Sequence, residues 1–319
     1  MAQQVDYKKK MTKHMKTNNM LTKEQIQKFK EKYDRIYING CSHSAGGGFE
    51  MTMQEDKIKQ RQGYKEKLGI EYSGPKDVAY GAHLAEIFGI EVINEAKSGG
   101  GPNRLIRKVR QFMKTRDISY LKRTLFILEI PSSNRLDLWS NEFMEHLVCN
   151  LDFDAGWDGR LKTFNLTQLH IVKEHFIKDI GLEMKYPLYQ QILSDYIKYF
   201  HNPVVFEDKT EFELMTFFSL LKNMEIDFYV MPNGFGCTFD KKYGINLYEK
   251  NVFKIEDNTG TNIFKYDQAY FYDLALWAGC KQKTIADEVG REWSYDGHPG
   301  IQAHTEWAEY ISKYMVENL

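Results

Sequence analysis

Apolar residues fall along this chain in short runs separated by longer amphipathic stretches, and that alternation predicts the fold. RIYING at 35–40, EVINEA at 91–96, TLFILEIP at 124–131 and IDFYVMP at 226–232 are short and largely apolar, as strands covered on both faces should be. In AYGAHLAEIFGI at 79–90, Leu84, Ile87 and Phe88 recur at helical spacing before Gly89 closes the segment. NRLIRKVRQFMK at 103–114 and EFELMTFFSLLKNM at 211–224 supply helical crossovers between strands. The order is strand, helix, strand, which predicts a mostly parallel sheet in a three-layer α/β/α fold. The chain closes in a helix, IQAHTEWAEYISKYMVENL, with Trp307, Ala308, Ile311 and Met315 on one face.

Three regions depart from this rhythm. Residues 1–32 read as a basic N-terminal extension, in which LTKEQIQKFKEKY forms a solvated helix opened by Thr22 with Glu24 in its first turn. The main domain then spans 33–319. About 90 residues separate the third strand from the fourth, more than a simple crossover needs. Helical segments near 167–178 and 187–201 predict a helical insertion at about 138–210 that builds a cap or a partner surface. Residues 233–290 are irregular and rich in Gly, Asn, Asp and Tyr, suited to loops over the face that carries the strand ends.

Composition narrows the function classes. With 319 residues, 42% of them hydrophobic and 14% aromatic, the chain can bury a large core. Its 43 Lys and Arg nearly cancel 44 Asp and Glu, so no overall field favours nucleic acid or an anionic membrane. Cys41, Cys149, Cys237 and Cys280 form no CxxC pair, which argues against a thiolate zinc site and a disulfide framework and for reduced thiols in a cytoplasm. No apolar stretch comes after the basic N-terminus, and no run reaches the roughly 18 apolar residues of a membrane span. A cytoplasmic location is therefore expected, although a protein released by lysis, such as a virion component, would carry the same signature. Nucleotide-binding glycine strings of the GxxxxGK[ST] or GxGxxG type are missing after every strand, and no HExxH pair suggests a metal, so neither a cofactor nor a metal is expected.

In open α/β sheets ligands bind outside the carboxyl ends of the strands, so the residues directly after each strand are the candidates for chemistry. Gly40-Cys41-Ser42-His43-Ser44-Ala45-Gly46 comes after the first, Asn94 to Asn103 after the second with three consecutive glycines at 99–101, and Pro131-Ser132-Ser133-Asn134-Arg135 after the third. A fourth block, Asp296-Gly297-His298-Pro299, precedes the last helix. A serine hydroxyl becomes a useful nucleophile when an imidazole takes its proton and an acceptor holds that imidazole in one tautomer. Ser42, His298 and Asp296 supply those parts. Backbone N–H groups of Ser42 and Gly99, with the side-chain amide of Asn134, are candidates to stabilise a developing oxyanion. Cys41, adjacent to Ser42 on an extended segment, points the other way into the core. His43 is a weaker candidate for direct chemistry. Arg135 and Asn103 are candidates for substrate recognition. The basic run Arg104, Arg107, Lys108, Arg110 and Lys114 reads as a solvated face, with Arg104 near enough to the glycine loop to meet an anionic substrate.

These four blocks, in this order, resemble the SGNH (GDSL-like) superfamily of serine esterases, lipases and acetylesterases. Its first block runs Gly-Asp-Ser-x-(Ser/Thr)-x-Gly, onto which Gly40, Ser42, Ser44 and Gly46 fall, with Cys41 in place of the Asp. Asn94 and Gly99 match the second block. There is no Gly-x-Asn-Asp string for the third, where Asn134 is the nearest side chain of the right type, and Asp296 lies two residues before His298 where the family has three. The resemblance covers about residues 35–135 and 226–319. It implies a flavodoxin-like three-layer fold and removal of an O-acyl group, such as acetyl, from a glycan or small polar ester through an acyl-serine. Acyl transfer to another hydroxyl uses the same parts. A non-catalytic binding or virion protein on this scaffold is the competing expectation, suited by the three departures from the pattern. The oligomeric state is left open by the sequence.

Overall fold

A computed structural model describes residues 21–49, 55–130, 135–140, 145–153, 164–169, 191, 195–196, 199, 203–232 and 284–319. Its strands are β1 (Arg35–Asn39), β2 (Glu91–Asn94), β3 (Thr124–Ile130), β4 (Arg135–Ser140), β5 (Glu145–Phe153), β6 (Phe164–Leu169) and β7 (Phe228–Pro232). The first half of the chain supplies helices α1 (Lys23–Lys32), α2 (Ser42–Ala45), α3 (Glu55–Leu68), α4 (Pro75–Val78), α5 (Tyr80–Phe88), α6 (Pro102–Lys114) and α7 (Ile118–Lys122). The second half adds α8 (Pro203–Asn223), α9 (Ile285–Val289) and α10 (Ile301–Glu317).

Four strands form an all-parallel sheet in the order β2-β1-β3-β7. Alternate residues along each strand face opposite ways, so each strand feeds two cores. Ile36 and Ile38 of β1, Leu125 and Ile127 of β3, and Met231 of β7 pack with Phe29, Leu84, Phe88, Trp307 and Ile311 on one face. Tyr37, Phe126, Leu128 and Val230 pack on the other with Leu105, Val109, Phe112, Phe217 and Leu221. Helices α1, α5 and α10 thus cover one side and α6 and α8 the other, which is the expected three-layer α/β/α arrangement. From β1 the chain moves to β2 on one flank and then to β3 on the opposite flank. The switch point falls between β1 and β3, where such sheets place their ligands.

The segment expected to be a solvated helix is more deeply committed. Thr22 and Gln25 form a reciprocal capping box, an arrangement whose loss costs about 1 kcal/mol. Phe29 is fully buried and stacks on Phe88 at 3.8 Å between ring centroids, so α1 packs on the domain.

The helical insertion needs correction. Where a helix was expected near 167–178, residues up to Leu169 belong to β6, the edge of an antiparallel sheet in the order β4-β5-β6; 170–178 lie outside the described residues. Of the helix expected at 187–201, the described residues 191, 195, 196 and 199 are helical. The strand signal was present in the alternation of Leu136 and Leu138 with Asp137 and Trp139 in RLDLWS. The irregular region 233–290 lies mostly outside the described residues, but its end forms α9, opened by a Thr284–Asp287 capping box. Among the described residues no helix is long and apolar enough to cross a membrane.

Candidate active site

Strand β1 ends at Asn39, and Gly40 and Cys41 carry the chain into the short turn α2, of which Ser42 is the first residue. Gly46 closes this turn in the left-handed region at φ 72°, which glycine adopts without a Cβ penalty. The last block is held from two directions. Ile285 N–H donates to His298 O at 2.9 Å and Ala286 N–H to Asp296 O at 3.2 Å, so α9 fixes the backbone of both candidates. The carboxylate of Glu288 accepts from Ile301 N–H and Gln302 N–H, each at 2.8 Å, and from Tyr64 Oη–H at 2.7 Å. It caps α10 directly after His298-Pro299-Gly300.

Ser42 and His298 meet at Gly47. A Cβ placed on Gly47 would lie 2.7 Å from Ser42 Cβ and 2.9 Å from His298 Cδ2, so the two side chains flank one point with no room for a third. Among the described residues the Ser42 hydroxyl makes no hydrogen bond, and contacts of this kind commonly tighten only when substrate is bound. If Ser42 and His298 react together on an ester, Gly47→Ala, which pushes the two side chains apart, should lower turnover by about 10²-fold, the loss typical of misplacing a reacting group by ~1 Å. Steady-state kinetics on a p-nitrophenyl ester would show it, and full activity would mean that Ser42 and His298 do not act together.

Asp296 and His298 are brought together despite their short spacing. Asp296 Oδ1 lies 2.7 Å from His298 Nδ1 and accepts His298 N–H at 3.0 Å, so one oxygen engages both the ring and the backbone of the residue two positions on. Its other oxygen, Oδ2, accepts from Lys57 Nζ at 2.7 Å, and Lys57 also donates to Gly48 O at 2.7 Å. Burial favours the neutral carboxyl, but the His298 ring and Lys57 outweigh it and hold Asp296 below its ordinary value of 3.8. With an ionised acceptor at Nδ1, the imidazole keeps its proton there and presents Nε2 as the acceptor.

The glycine loop closes against the same strand end. Lys97 N–H donates to Gly40 O at 3.3 Å, and a Cβ on Gly100 would come within 3.1 Å of that oxygen. Gly99 is buried at φ 77°, and Asn94 Nδ2 donates to Ser44 O at 2.7 Å, tying the second block to the first. Gly101 and Pro102 then open α6, whose N-terminal end carries a partial positive charge. Asn103 sits in its first turn with a buried Oδ1 that has no hydrogen-bond partner among the described residues. Arg104 is not on a solvated face: it is buried, and its guanidinium donates to Glu95 O at 3.2 Å, bracing the loop. Asn134 lies outside the described residues. Arg135 begins β4, and its side chain is likewise outside them.

Cys41 faces inward, as its position beside Ser42 requires: its Sγ lies 2.9 Å from Glu129 Oε1 and is 2% exposed as a residue. His43 is also buried, its Nδ1 3.5 Å from the same oxygen and its ring 5.9 Å from that of His298. Donor atoms of Cys41, His43 and Glu129 all fall within 4.8 Å of one another, a set that a transition metal could use. The sequence pattern did not single out Glu129 or Lys57. A signal for Glu129 existed, since a carboxylate inside the largely apolar run TLFILEIP has to be paired where it is buried. Lys57 had none, being one lysine in a polar stretch.

No protein-family model and no curated protein matches this chain. Among solved structures it is similar to a protein from Desulfitobacterium hafniense DCB-2 assigned to the G-D-S-L family of lipolytic proteins, with 10% identity and a TM-score of 0.37 over 88% of this chain and 98% of that one. A likeness of that size leaves the reading of the site to its own geometry. The fold and the strand-end cluster define a three-layer α/β/α domain with a Ser-His-Asp grouping at its switch point.

Proposed function

We propose that this protein is a serine hydrolase that cleaves an ester through an acyl-serine intermediate, with O-acyl groups such as acetyl on a glycan or small polar molecule as the substrate class. The observation that carries this is the convergence of Ser42 and His298 on Gly47, with Asp296 Oδ1 2.7 Å from His298 Nδ1. In this reading Ser42 Oγ attacks the acyl carbon as His298 Nε2 takes its proton. The oxyanion is met by the N–H groups of Ser42 and Gly99, with Asn134 as a third donor, each contributing about 2.7–4 kcal/mol to the transition state in comparable enzymes. The imidazolium then protonates the leaving alcohol, and water activated by the same ring releases the acid and restores Ser42. Asn103 and Arg135 are assigned to substrate recognition.

A fluorophosphonate probe tests the reading, because it reacts only with an activated serine. Wild-type protein should be labelled at one residue, and Ser42→Ala should not be labelled. Absence of labelling in a folded wild-type sample would overturn the assignment and favour a binding protein on the same scaffold.

A further inference from the structure

A single buried carboxylate engages the residues on both sides of Ser42. Glu129, at the C-terminal end of β3, is fully buried. Its Oε2 accepts from Cys41 N–H and Ser44 N–H, each at 3.0 Å. Its Oε1 lies 2.9 Å from Cys41 Sγ and 3.5 Å from His43 Nδ1. Residues 41, 43 and 44 are thereby fixed to one group, and residue 42 is the one left facing the site. Gly40 fits the same scheme, since a Cβ there would lie 2.4 Å from Glu129 Oε2.

Burying an ion costs several kcal/mol unless it is paired and hydrogen-bonded, and half-satisfied pairs are worse than apolar packing. Here the satisfaction is dense and centres on the candidate nucleophile's turn. From these contacts we infer that Glu129, paired with His43, is a positioning residue that sets the direction of Ser42 toward His298; this rests on the hydrolase reading above. Two further features support it. Burial alone would neutralise both groups, yet hydrogen bonds with Cys41 and Glu129 drive the His43 imidazole up to about 10, and contacts with His43, Cys41 and Ser44 hold the Glu129 carboxyl down to about 2, so charge is favoured on both. The His43 ring also stands edge-on to His298, at 66° between planes, so anything that loosens His43 is felt by the proposed base. The same three side chains could instead hold a metal. The ion pair is the better account, because a structural zinc takes four protein donors and this cluster supplies three among the described residues.

The experiment is the rate of fluorophosphonate labelling, resolved into binding and bond formation, for wild type, Glu129→Gln and His43→Gln. Glu129→Gln keeps size and one acceptor but removes the charge; His43→Gln leaves the carboxylate bonded to the backbone and removes its partner. We expect the bond-forming rate to fall about 10²-fold in Glu129→Gln and about tenfold or more in His43→Gln, with probe affinity unchanged, as misorientation of a reacting group predicts. Weaker probe binding with an unchanged rate constant, or wild-type rates in folded variants, would overturn the inference. If Glu129→Gln does not fold, His43→Gln decides alone. Failure of wild type to label would instead strike the hydrolase reading. One equivalent of zinc bound to wild type and lost in Cys41→Ser would replace the ion pair with a metal site.

Discussion

Replacing His298 with alanine is expected to lower kcat on p-nitrophenyl acetate by about 10⁴-fold, with KM nearly unchanged. The size of the effect reflects the two jobs of the ring in the proposed mechanism. Without it, Ser42 must lose its proton to water, and no donor returns a proton to the leaving alcohol. The fold should survive. The His298 side chain is 36% exposed, and the backbone contacts that anchor it, His298 O with Ile285 N–H and Asp296 Oδ1 with residue 298 N–H, do not depend on the imidazole. Thermal unfolding measured beside the kinetics would establish this. A variant that keeps more than a tenth of wild-type kcat would remove His298 from the role of base, whatever its place beside Ser42.

The sheet was legible in the sequence because β1, β3 and β7 are buried on both faces and the edge strand β2 still half-buries Val92 and Ile93. Their apolar runs, RIYING, EVINEA, TLFILEIP and IDFYVMP, contain β1, β2, β3 and β7 almost to the residue. What escaped was structure held by polar contacts. Helix α3 presents no apolar stripe, so the hydrophobic pattern predicted no element there: it is fixed by Gln60 donating to Gly48 O at 2.7 Å and by Gly63, where a Cβ would fall 2.6 Å from Trp293 Cβ. Helix α9 is too short for a period to show, at five residues, and depends on its Thr284–Asp287 cap. The candidate site divides the same way. Ser42, Gly99, Asp296 and His298 stand next to strand ends or a helix start and could be picked by position. Glu129 and Lys57 act from the C-terminal end of a buried apolar strand and from a helix distant in sequence, and only three-dimensional contact reveals what they hold. Arg104 shows the converse error, since a charge in a basic run was assumed to be solvated when Glu95 O and Asn39 Oδ1 accept from it.

The same contacts make Asp296→Asn the second large effect, a drop in kcat of about 10⁴-fold, comparable to the loss seen when an equivalent carboxylate becomes an amide and the imidazole takes the wrong tautomer. The carboxylate serves two donors on opposite sides, with His298 Nδ1 and N–H on Oδ1 and Lys57 Nζ on Oδ2. An amide cannot do both. If its oxygen faces His298, its NH₂ group points at the Lys57 ammonium; if it flips, it donates to Nδ1 and leaves the proton on Nε2, where the Ser42 proton has to go. The stability difference should depend on pH in size, not in sign. The Asp296 carboxyl is held below its ordinary 3.8, so its contribution is present above that value and is lost as pH falls through the folded-state value. The difference in Tm between wild type and Asp296→Asn should therefore be steady from neutral pH down to about 4 and shrink on further acidification. A difference that stays constant on acidification below about pH 4 would show that the ionised carboxylate is not what holds His298, and the imidazole would then have to be oriented by its backbone anchors alone.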